Sequence, residues 1–467
     1  MDQQKKIRRI EVTGLQDTFD YKIEFIGDSG TAILIAPNGY GKTAFLGVLN
    51  SCMQFRLYDA AEYRFDNLNV IFEDKTRWCF KTSKYDDEDE LPAGLNQREY
   101  SVYLRRRRRS ETYIKFTHYN ASGKEQTDKS PAELETIPPS IIERAIDRHL
   151  PVHREGPNRW RDFRSHEVVN TSVILTRYRD TLLADPDFRR DLGKFAPGFL
   201  EGVDARFSCV FIETQRLLQM RKREKADDDS PSQQEEILRQ AEYLASLLQR
   251  TYASYAATSQ ELDRSFPNRL VSRAEGSVSY DLAGLIADLD SIEERRRALT
   301  EAGILVDTAE PLVAPKDEFI ANVADALDIY VEDSKKKLST FDEVFTRVSV
   351  FRDLLSKKLR PKTLSINRER GAEVRRGDDP VGLDKLSSGE KHEFIMLFRL
   401  IFETPPSSLV LIDEPEISLH VSWQLEFMSD LARIQSANSF QCIIATHSPQ
   451  IIQGADEITF DLSEQVK

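Results

Sequence analysis

A stretch near the N-terminus, APNGYGKT at residues 36–43, has the residue types and spacing needed to hold phosphate. It follows the GxxxxGK[ST] pattern of phosphate-binding loops, except that Ala36 stands at the first glycine position, where a positive φ would be strained. Glycines let backbone N–H groups curve round phosphate oxygens, and the helix that follows adds the positive end of its dipole. Lys42 would reach the β and γ phosphates, and the Thr43 hydroxyl would bind magnesium. The predicted nucleotide contacts of this loop are Asn38, Gly39, Tyr40, Gly41, Lys42 and Thr43.

Two adjacent carboxylates, Asp413 and Glu414, follow a short apolar strand at residues 408–412. An acidic residue at the end of a buried strand can bind the magnesium ion of a nucleotide site, directly or through water. The next carboxylate is then placed to polarise the attacking water. Asp413 is therefore the predicted ligand and Glu414 the predicted base, and the alternative is a solvated turn that ends the strand.

A histidine, His447, follows a second apolar strand at residues 440–445. At the mouth of a parallel strand, its ring can contact a γ-phosphate or the water that attacks it. Taken alone, a histidine in such a place is more often a structural residue with satisfied hydrogen bonds. A hydrolase that pairs His447 with Ser448 is disfavoured, because neighbours on a strand point to opposite faces.

The segment GLDKLSSGEKH at residues 382–392 has the form of a capped helix start. Ser387 and Glu390 have the Ser-x-x-Glu spacing of a capping box, in which each side chain bonds the other residue's backbone N–H. A helix start at which Ser387, Ser388 and Gly389 expose N–H groups can also attract an anion. The two interpretations are compatible.

Strands and helices must hold these residues in place, and the hydrophobic pattern predicts where they lie. Strands are predicted at 7–15, 21–25, 31–36, 207–213, 362–369, 372–376, 408–412 and 440–445, antiparallel hairpins over 68–119, and a more helical stretch from about 130 to 196. Helical periodicity recurs from residue 235 and again over 338–355, which predicts helices packed on a core or on each other. The chain is thus divided into two strand-rich ends, 1–220 and 361–467, and a helical insertion at 221–360.

Composition limits the class of protein. A chain of 467 residues, 40% of them hydrophobic and 31% charged, is expected to fold as two or three globular units. Its net charge of −13 argues against nonspecific coating of nucleic acid. Four separated cysteines without a CxxC pair suggest a reducing compartment and no zinc site. The charged N-terminus and the short apolar runs predict a cytoplasmic protein without a membrane partner.

Four motifs, APNGYGKT, LSSGE, LIDEPEISLH and ATHSP, resemble in this order the Walker A, signature, Walker B with D-loop, and H-loop motifs of ABC-type ATPases. The last two resemble the SMC, RecF and OLD-like branch rather than membrane transporters. The resemblance implies an α/β fold, namely an ABC-type ATPase head with antiparallel β hairpins and a helical insertion between the Q-loop and the signature motif. It also implies ATP and Mg²⁺ as cofactors.

The same resemblance implies a role for each candidate residue. Gln215, which follows the strand in FIETQRLL, would be the Q-loop glutamine that touches the magnesium and the attacking water. The signature residues Ser387, Ser388, Gly389 and Glu390 would bind the γ-phosphate held by a partner subunit, so a homodimer or higher homo-oligomer would enclose the nucleotides. The implied catalytic residues are Lys42, Glu414 and His447, and the implied magnesium ligands are Thr43, Asp413 and Gln215.

Features that the chain lacks narrow the resemblance. The twenty residues after His447 leave no room for the TOPRIM nuclease domain of OLD proteins, and the pairs Asp185/Asp187 and Asp288/Asp290 are interpreted as solvated helix surface. The insertion is too short and broken for an SMC arm. The chain therefore most resembles the stand-alone ATPases of bacterial anti-phage systems, AriA of PARIS before PtuA of Septu and certain retrons. In these systems the ATPase senses a phage-encoded product and controls a separate toxin or nuclease effector.

A run of five arginines, Arg105–Arg109, bears on DNA as a partner. On a predicted hairpin at most three of them share a face, where they could bind DNA phosphate or an acidic protein. The alternative is a solvated hairpin balanced by the acidic run Asp86–Glu90. Two functions therefore stay open, a defence sensor and a RecF- or SMC-like DNA-binding ATPase in repair. A pseudo-ATPase is disfavoured by the intact Lys42, Asp413, Glu414 and His447.

Overall fold

The structure is a computed structural model. It describes residues 6–27, 30–54, 57–84, 112–129, 209–213, 233–274, 280–306 and 317–465, together with short stretches between 143 and 178. Two compact units divide the chain, one formed by residues 1–219 with 404–467 and the other by residues 220–403. The second unit thus contains the inserted helices and also the signature segment. The boundary at residue 360, which the sequence analysis placed between the helical insertion and the C-terminal strand-rich end, stays a prediction.

The first unit carries most of the described strands, which are numbered here along the whole chain. These strands are β1 (Ile7–Leu15), β2 (Phe19–Glu24), β3 (Thr31–Ile35), β4 (Asn67–Phe72), β5 (Arg77–Lys84), β6 (Thr112–Tyr119), β7 (Glu125–Lys129), β8 (Val152–Gly156), β9 (Arg159–Asp162), β10 (Val168–Val169), β11 (Cys209–Glu213), β15 (Leu409–Asp413), β16 (Gln441–Ala445) and β17 (Thr459–Asp461). The described helices of this unit are α1 (Lys42–Met53), α2 (Leu57–Ala61), α8 (Val421–Asn438) and α9 (Pro449–Ile452).

A parallel sheet positions the candidate site, with its strands in the order β11–β15–β16–β3–β17. β15 and β16 are buried at every position, as expected for strands that are covered on both faces. Because the strands are parallel, the residues that follow their carboxyl ends meet at one edge, where α/β proteins bind ligands. That edge receives the phosphate loop after β3, the acidic pair from β15 and the histidine after β16.

An antiparallel sheet in the order β2–β1–β4–β5–β6–β7 confirms the predicted hairpins within the described residues. Its apolar face packs with α1 and the parallel sheet in one core, where Trp78, Phe80 and Phe116 are fully buried. The side-chain amide of Gln441 on β16 accepts from the Ile7 backbone N–H at 2.6 Å and donates to the Ile7 carbonyl at 2.7 Å, which joins the two sheets. Arg105–Arg109 lies outside the described residues.

Strands β8, β9 and β10 form a small antiparallel sheet in the order β10–β9–β8. The prediction of a more helical stretch between 130 and 196 is therefore wrong for these segments. These strands contain valine and tryptophan, which are residue types that favour a pleated, half-buried surface. The residues are Val152, Val168, Val169 and Trp160, and Trp160 is fully buried.

The second unit combines helices with a three-stranded antiparallel sheet. Its elements are α3 (Gln233–Ala274), α4 (Leu282–Glu301), α5 (Asp317–Ser339), α6 (Asp342–Lys358), β12 (Thr363–Asn367), β13 (Gly371–Arg376), β14 (Asp379–Val381), α7 (Ser388–Phe398) and a π-helical turn (Arg399–Glu403). Phe351 of α6 anchors the aromatic core, since its ring lies 5.2 Å from that of Phe394 and 5.5 Å from that of Phe402. Gly371 lets β13 approach α3, because a Cβ there would lie 1.9 Å from the carbonyl oxygen of Ala241.

The helical pattern over 338–355 is divided between two helices, because α5 ends at Ser339 and α6 begins at Asp342. The Ser339 hydroxyl donates to the Lys336 carbonyl at 2.9 Å, and the Thr340 hydroxyl donates to the Lys337 carbonyl at 2.7 Å. Such side-chain bonds compete with the helical ladder. Hydrophobic spacing continues through the break and therefore does not reveal it.

The predicted α/β fold class is confirmed. In the first unit, a phosphate loop lies between a parallel strand and a helix, and an antiparallel sheet flanks the parallel one; in the second unit, helices precede the signature segment along the chain. Asp288 and Asp290 lie on helix α4, as expected from the sequence, whereas Asp185 and Asp187 fall outside the described residues. Among the helices that the structure describes, none combines the length and the apolar character needed to cross a membrane.

Candidate functional site

The phosphate loop occupies residues 36–41, between β3 and α1. Gly39 and Gly41 adopt positive φ values of 91° and 71°, so both use the backbone freedom that only glycine has without strain. Ala36 is not among the residues with positive φ, and its departure from the glycine pattern therefore causes no backbone strain. The buried Tyr21 hydroxyl donates to the Tyr40 carbonyl at 2.6 Å, which fixes the tip of the loop, and burial raises the pKa of Tyr21.

Lys42 is the first residue of α1, and its side chain turns back into the loop. Its Nζ donates to the Ala36 carbonyl at 2.7 Å, and the residue is only 6% exposed. Burial lowers the pKa of Lys42, while the nearby carboxylates of Glu414, Asp413 and Glu416 act in the opposite direction. The positive charge of Lys42 therefore lies near the acidic residues at the carboxyl end of β15.

Thr43 and Asp413 meet across the edge of the parallel sheet. The Thr43 hydroxyl donates to Asp413 Oδ2 at 2.9 Å. The other oxygen of this carboxylate, Oδ1, is fully buried and has no hydrogen-bond partner among the described residues. A buried carboxylate oxygen without a donor is costly unless a cation or water satisfies it. The arrangement therefore fits a hard, oxygen-seeking cation such as Mg²⁺.

The charge on Asp413 depends on its surroundings. Burial raises its pKa to about 6, the Thr43 hydrogen bond and Lys42 act against this rise, and Glu414 and Glu213 add to it. Glu213 is the residue paired with Asp413 in the register of β11 and β15. Within the described ranges, no three His, Cys, Asp or Glu side chains are grouped to hold a metal ion. A magnesium site built on Thr43 and Asp413 would use few protein ligands, as in nucleotide sites where phosphates and water supply the rest.

Glu414 and His447 come together from neighbouring strands. His447 Nε2 lies 4.0 Å from Glu414 Oε1, and the Glu414 backbone N–H donates to the Ala445 carbonyl at 2.8 Å. Glu414 has φ 49° and ψ 57°, a left-handed conformation that costs a residue with a Cβ about 1 to 2 kcal/mol. Backbone strain of this kind is common where a side chain must be aimed at a site.

Gln215 lies outside the described residues, two positions after β11 ends at Glu213. Its predicted contact with magnesium and water stays a prediction.

The signature segment begins helix α7 in the second unit. The predicted capping box is confirmed: Ser387 Oγ accepts from the Glu390 N–H at 3.3 Å, and Glu390 Oε2 accepts from the Ser387 N–H at 2.8 Å. Lys362 Nζ donates to both oxygens of Glu390, at 2.6 and 2.7 Å. Burial alone would raise the pKa of Glu390, but the bonds from Lys362 and Ser387 outweigh it and lower that pKa. Nucleotide binding by Ser387–Glu390 stays a prediction.

A residue that the sequence did not single out, Glu416, lies beside the candidate catalytic pair. Its Oε1 accepts from the His447 backbone N–H at 2.6 Å, and its Oε2 accepts from the Thr446 hydroxyl at 2.8 Å. The only sequence signal is a third carboxylate in DEPE, which is indistinguishable by type from a solvated turn residue.

Comparison with known proteins gives one family and several partial likenesses. Residues 215–453, about half of the chain, match the family described as "AAA domain, putative AbiEii toxin, Type IV TA system". Protein ea59 of Escherichia phage lambda is 38% identical over 69 residues, so the match spans 15% of this chain and only 13% of that protein.

Two solved structures resemble the chain over most of its length. The Smc head domain with an extended coiled coil, bound to the C-terminal domain of ScpA and derived from Pyrococcus furiosus, is 14% identical with a TM-score of 0.33, covering 96% of this chain and 91% of that one. The SMC head domain from Thermotoga maritima is 9% identical with a TM-score of 0.30, at the same coverages of 96% and 91%.

Proposed function

The chain belongs to the family of AAA domains described for the AbiEii toxin and type IV toxin–antitoxin systems, and from this membership we propose that it binds and hydrolyses ATP. The contact that carries the proposal is the 2.9 Å hydrogen bond between Thr43 and Asp413, which joins the phosphate loop to the acidic end of β15. A loop hydroxyl and a strand-end carboxylate are the protein ligands of magnesium in P-loop sites.

Each residue of the site has a defined task in this reaction. Backbone N–H groups of the loop and the N-terminus of α1 bind the phosphates, and Lys42 neutralises the β and γ phosphate oxygens. Thr43 and Asp413 would hold Mg²⁺, which when bound stabilises negative charge on those oxygens. Glu414 accepts the proton of the attacking water, and His447, 4.0 Å from it, bonds the γ-phosphate or that water. The products are ADP and phosphate.

The active form proposed here is a homodimer or a higher homo-oligomer. In that assembly, the N–H groups at the start of α7 bind the γ-phosphate that a second copy holds, as a capped helix N-terminus can do. The capping box supports this role, because it fixes the helix start while Ser388 and Gly389 keep backbone donors available. ATP binding and assembly would then be coupled.

At the level of the cell, we propose a sensor and scaffold that controls a separate toxin or nuclease effector in anti-phage defence. The family description names a putative toxin of a toxin–antitoxin system, in which two proteins act as a pair, and it therefore supports a partner protein rather than the sensor role itself. The trigger would be a phage-encoded protein. Failure to co-purify with any protein encoded beside it would count against the proposal.

ATP turnover of the wild type and of Glu414→Gln tests the enzyme. Loss of the base should lower kcat by about 10² to 10⁴-fold, while ATP binding persists. Glu426→Gln changes an exposed carboxylate on α8 and should leave turnover unchanged. Turnover that survives in Glu414→Gln would mean that the base lies elsewhere.

The same Glu414→Gln variant tests assembly. Held with ATP and Mg²⁺, it should show a molar mass of twice the 53.6 kDa chain or a higher multiple by light scattering, and the monomer mass with ADP. A monomer under both conditions would refute assembly through the nucleotide sites.

Strong stimulation of wild-type turnover by duplex DNA would favour a repair ATPase over a protein-triggered sensor.

A further inference from the structure

Glu416 ties two loops of the candidate site together. The residue lies in a single 3₁₀ turn, Pro415–Ser418, directly after the acidic pair. Its two carboxylate oxygens accept from two consecutive residues at the end of β16, the Thr446 hydroxyl at 2.8 Å and the His447 backbone N–H at 2.6 Å. Hydrogen bonds to an ionised carboxylate are shorter and stronger than neutral ones, so this is a firm attachment.

A second connection runs the opposite way between the same segments. The Glu414 backbone N–H donates to the Ala445 carbonyl at 2.8 Å, and the Ile417 N–H donates to the Glu414 carbonyl at 3.2 Å. Together with the Glu416 carboxylate, these bonds close a ring that contains both Glu414 and His447. The backbones that carry these two side chains, whose nearest charged atoms lie 4.0 Å apart, are therefore held in one frame.

Gln424 on α8 extends the frame. Its Oε1 accepts from the Ser448 hydroxyl at 2.7 Å, and its Nε2 donates to the Leu419 carbonyl at 3.1 Å. The residues on both sides of His447 are thus bonded to the chain between Pro415 and Gln424, and a shift of that chain would displace the histidine.

We propose that Glu416 is a positioning residue: its carboxylate holds the His447 backbone so that the imidazole stands at a fixed distance from Glu414, and it transmits movements of residues 415–419 to that histidine. The proposal rests on ATP hydrolysis at this site. A positioning role fits Glu416 because both of its oxygens accept hydrogen bonds from fixed donors in the loop that carries His447. A residue held in place this way acts through the geometry of its neighbour.

Two substitutions separate the bonds. Glu416→Ala removes both acceptors, whereas Glu416→Gln keeps one carbonyl oxygen for the His447 N–H and loses the charge. Displacement of His447 should lower kcat by about 10- to 100-fold in Glu416→Ala with KM for ATP nearly unchanged, and Glu416→Gln should recover part of the loss. Glu426→Ala removes an exposed carboxylate from α8 and is the matched control. Binding of a fluorescent ATP analogue and thermal unfolding report whether each variant is folded.

A spectroscopic measurement observes the bond itself, independently of activity. The chain has 7 histidines, so ¹⁵N-histidine labelling gives a small set of amide signals, and His447→Gln identifies the relevant one. The N–H bonded to Glu416 at 2.6 Å should resonate downfield in the wild type and move upfield in Glu416→Ala.

Each outcome of these measurements either supports or overturns the proposed role of Glu416. An upfield shift in a folded Glu416→Ala together with a fall in kcat at constant KM supports the proposal. An unmoved His447 amide, a moved amide with unchanged kcat, or an equal rise in KM would overturn it. A wild type without turnover would refute the proposed hydrolysis and the catalytic consequence of Glu416, whereas the amide signal would still show whether the carboxylate holds His447.

Discussion

Thr43 and Asp413 are 370 residues apart in the chain, and the Thr43 hydroxyl donates a 2.9 Å hydrogen bond to Asp413 Oδ2. The bond leaves Asp413 Oδ1 buried without a partner among the described residues, so the pair is arranged for a cation. Thr43→Ala should therefore weaken ATP binding by about 10- to 100-fold in Mg²⁺ and change it little in EDTA. Titration with a fluorescent ATP analogue measures both values, and Thr43→Ser is the control that keeps the hydroxyl. Equal affinities of Thr43→Ala and wild type in Mg²⁺ would exclude Thr43 as a ligand.

His392 makes the stability of the chain depend on pH. The residue is fully buried on α7, and neither ring nitrogen has a hydrogen-bond partner among the described residues. Burial, and to a lesser degree Arg399, lowers its pKa from 6.5 to about 4. Because the folded pKa is depressed, His392 stays neutral in the fold, and stability is lost as pH falls from 6.5 towards 4. The loss should reach roughly 3 kcal/mol.

Replacing the histidine tests this dependence. His392→Leu should flatten the curve of unfolding free energy against pH between 4 and 6.5, whereas replacement of the exposed His153 should not. Urea denaturation at several pH values measures the curve. The same slope in His392→Leu and wild type would show that other groups carry the acid sensitivity.

Lys362 holds the capping box at the start of α7. Its side chain is 10% exposed and that of Glu390 is 14% exposed, so Lys362→Met would leave a mostly buried carboxylate without its cation. We expect a loss of roughly 2 to 4 kcal/mol in unfolding free energy, against about 1 kcal/mol for Ser387→Ala. Lys385→Met, at an exposed lysine nearby, should have little effect. Calorimetry compares the variants, and a Lys362→Met as stable as the control would contradict the prediction.

Gln441 bonds both backbone groups of Ile7 through one side-chain amide, at 2.6 and 2.7 Å. Gln441→Leu would leave a buried N–H and a buried carbonyl unsatisfied, which should cost roughly 2 to 5 kcal/mol. Gln453→Leu, at an exposed glutamine, should cost almost nothing. Chemical denaturation separates the two, and equal midpoints would show that the bridge contributes nothing.

The sequence was sufficient to predict the features that depend on spacing along the chain. Lys42 and Thr43 follow the loop glycines at fixed positions, and the capping box of Ser387 and Glu390 spans three residues. Asp413 was found because an apolar strand delivers it to a sheet edge. In each case local geometry decides the structure, and the resemblance of the four motifs supplied the α/β fold class.

Features that depend on distant partners could not be predicted. The donors to Glu416 lie 30 and 31 residues further along the chain, and nothing in DEPE distinguishes this carboxylate from the others. The break after Ser339 is hidden because the apolar spacing continues across it. The contact between Lys362 and Glu390 also could not be predicted, because the two residues are 28 positions apart in the chain.

The left-handed backbone of Glu414 has a consequence for natural variation in this family. Glycine would adopt that conformation without strain, and asparagine at a smaller cost than glutamate. A lineage released from selection for hydrolysis would therefore gain stability by exchanging this glutamate for either residue. Relatives with glycine or asparagine here are expected to be more heat-resistant proteins that bind nucleotide and no longer turn it over.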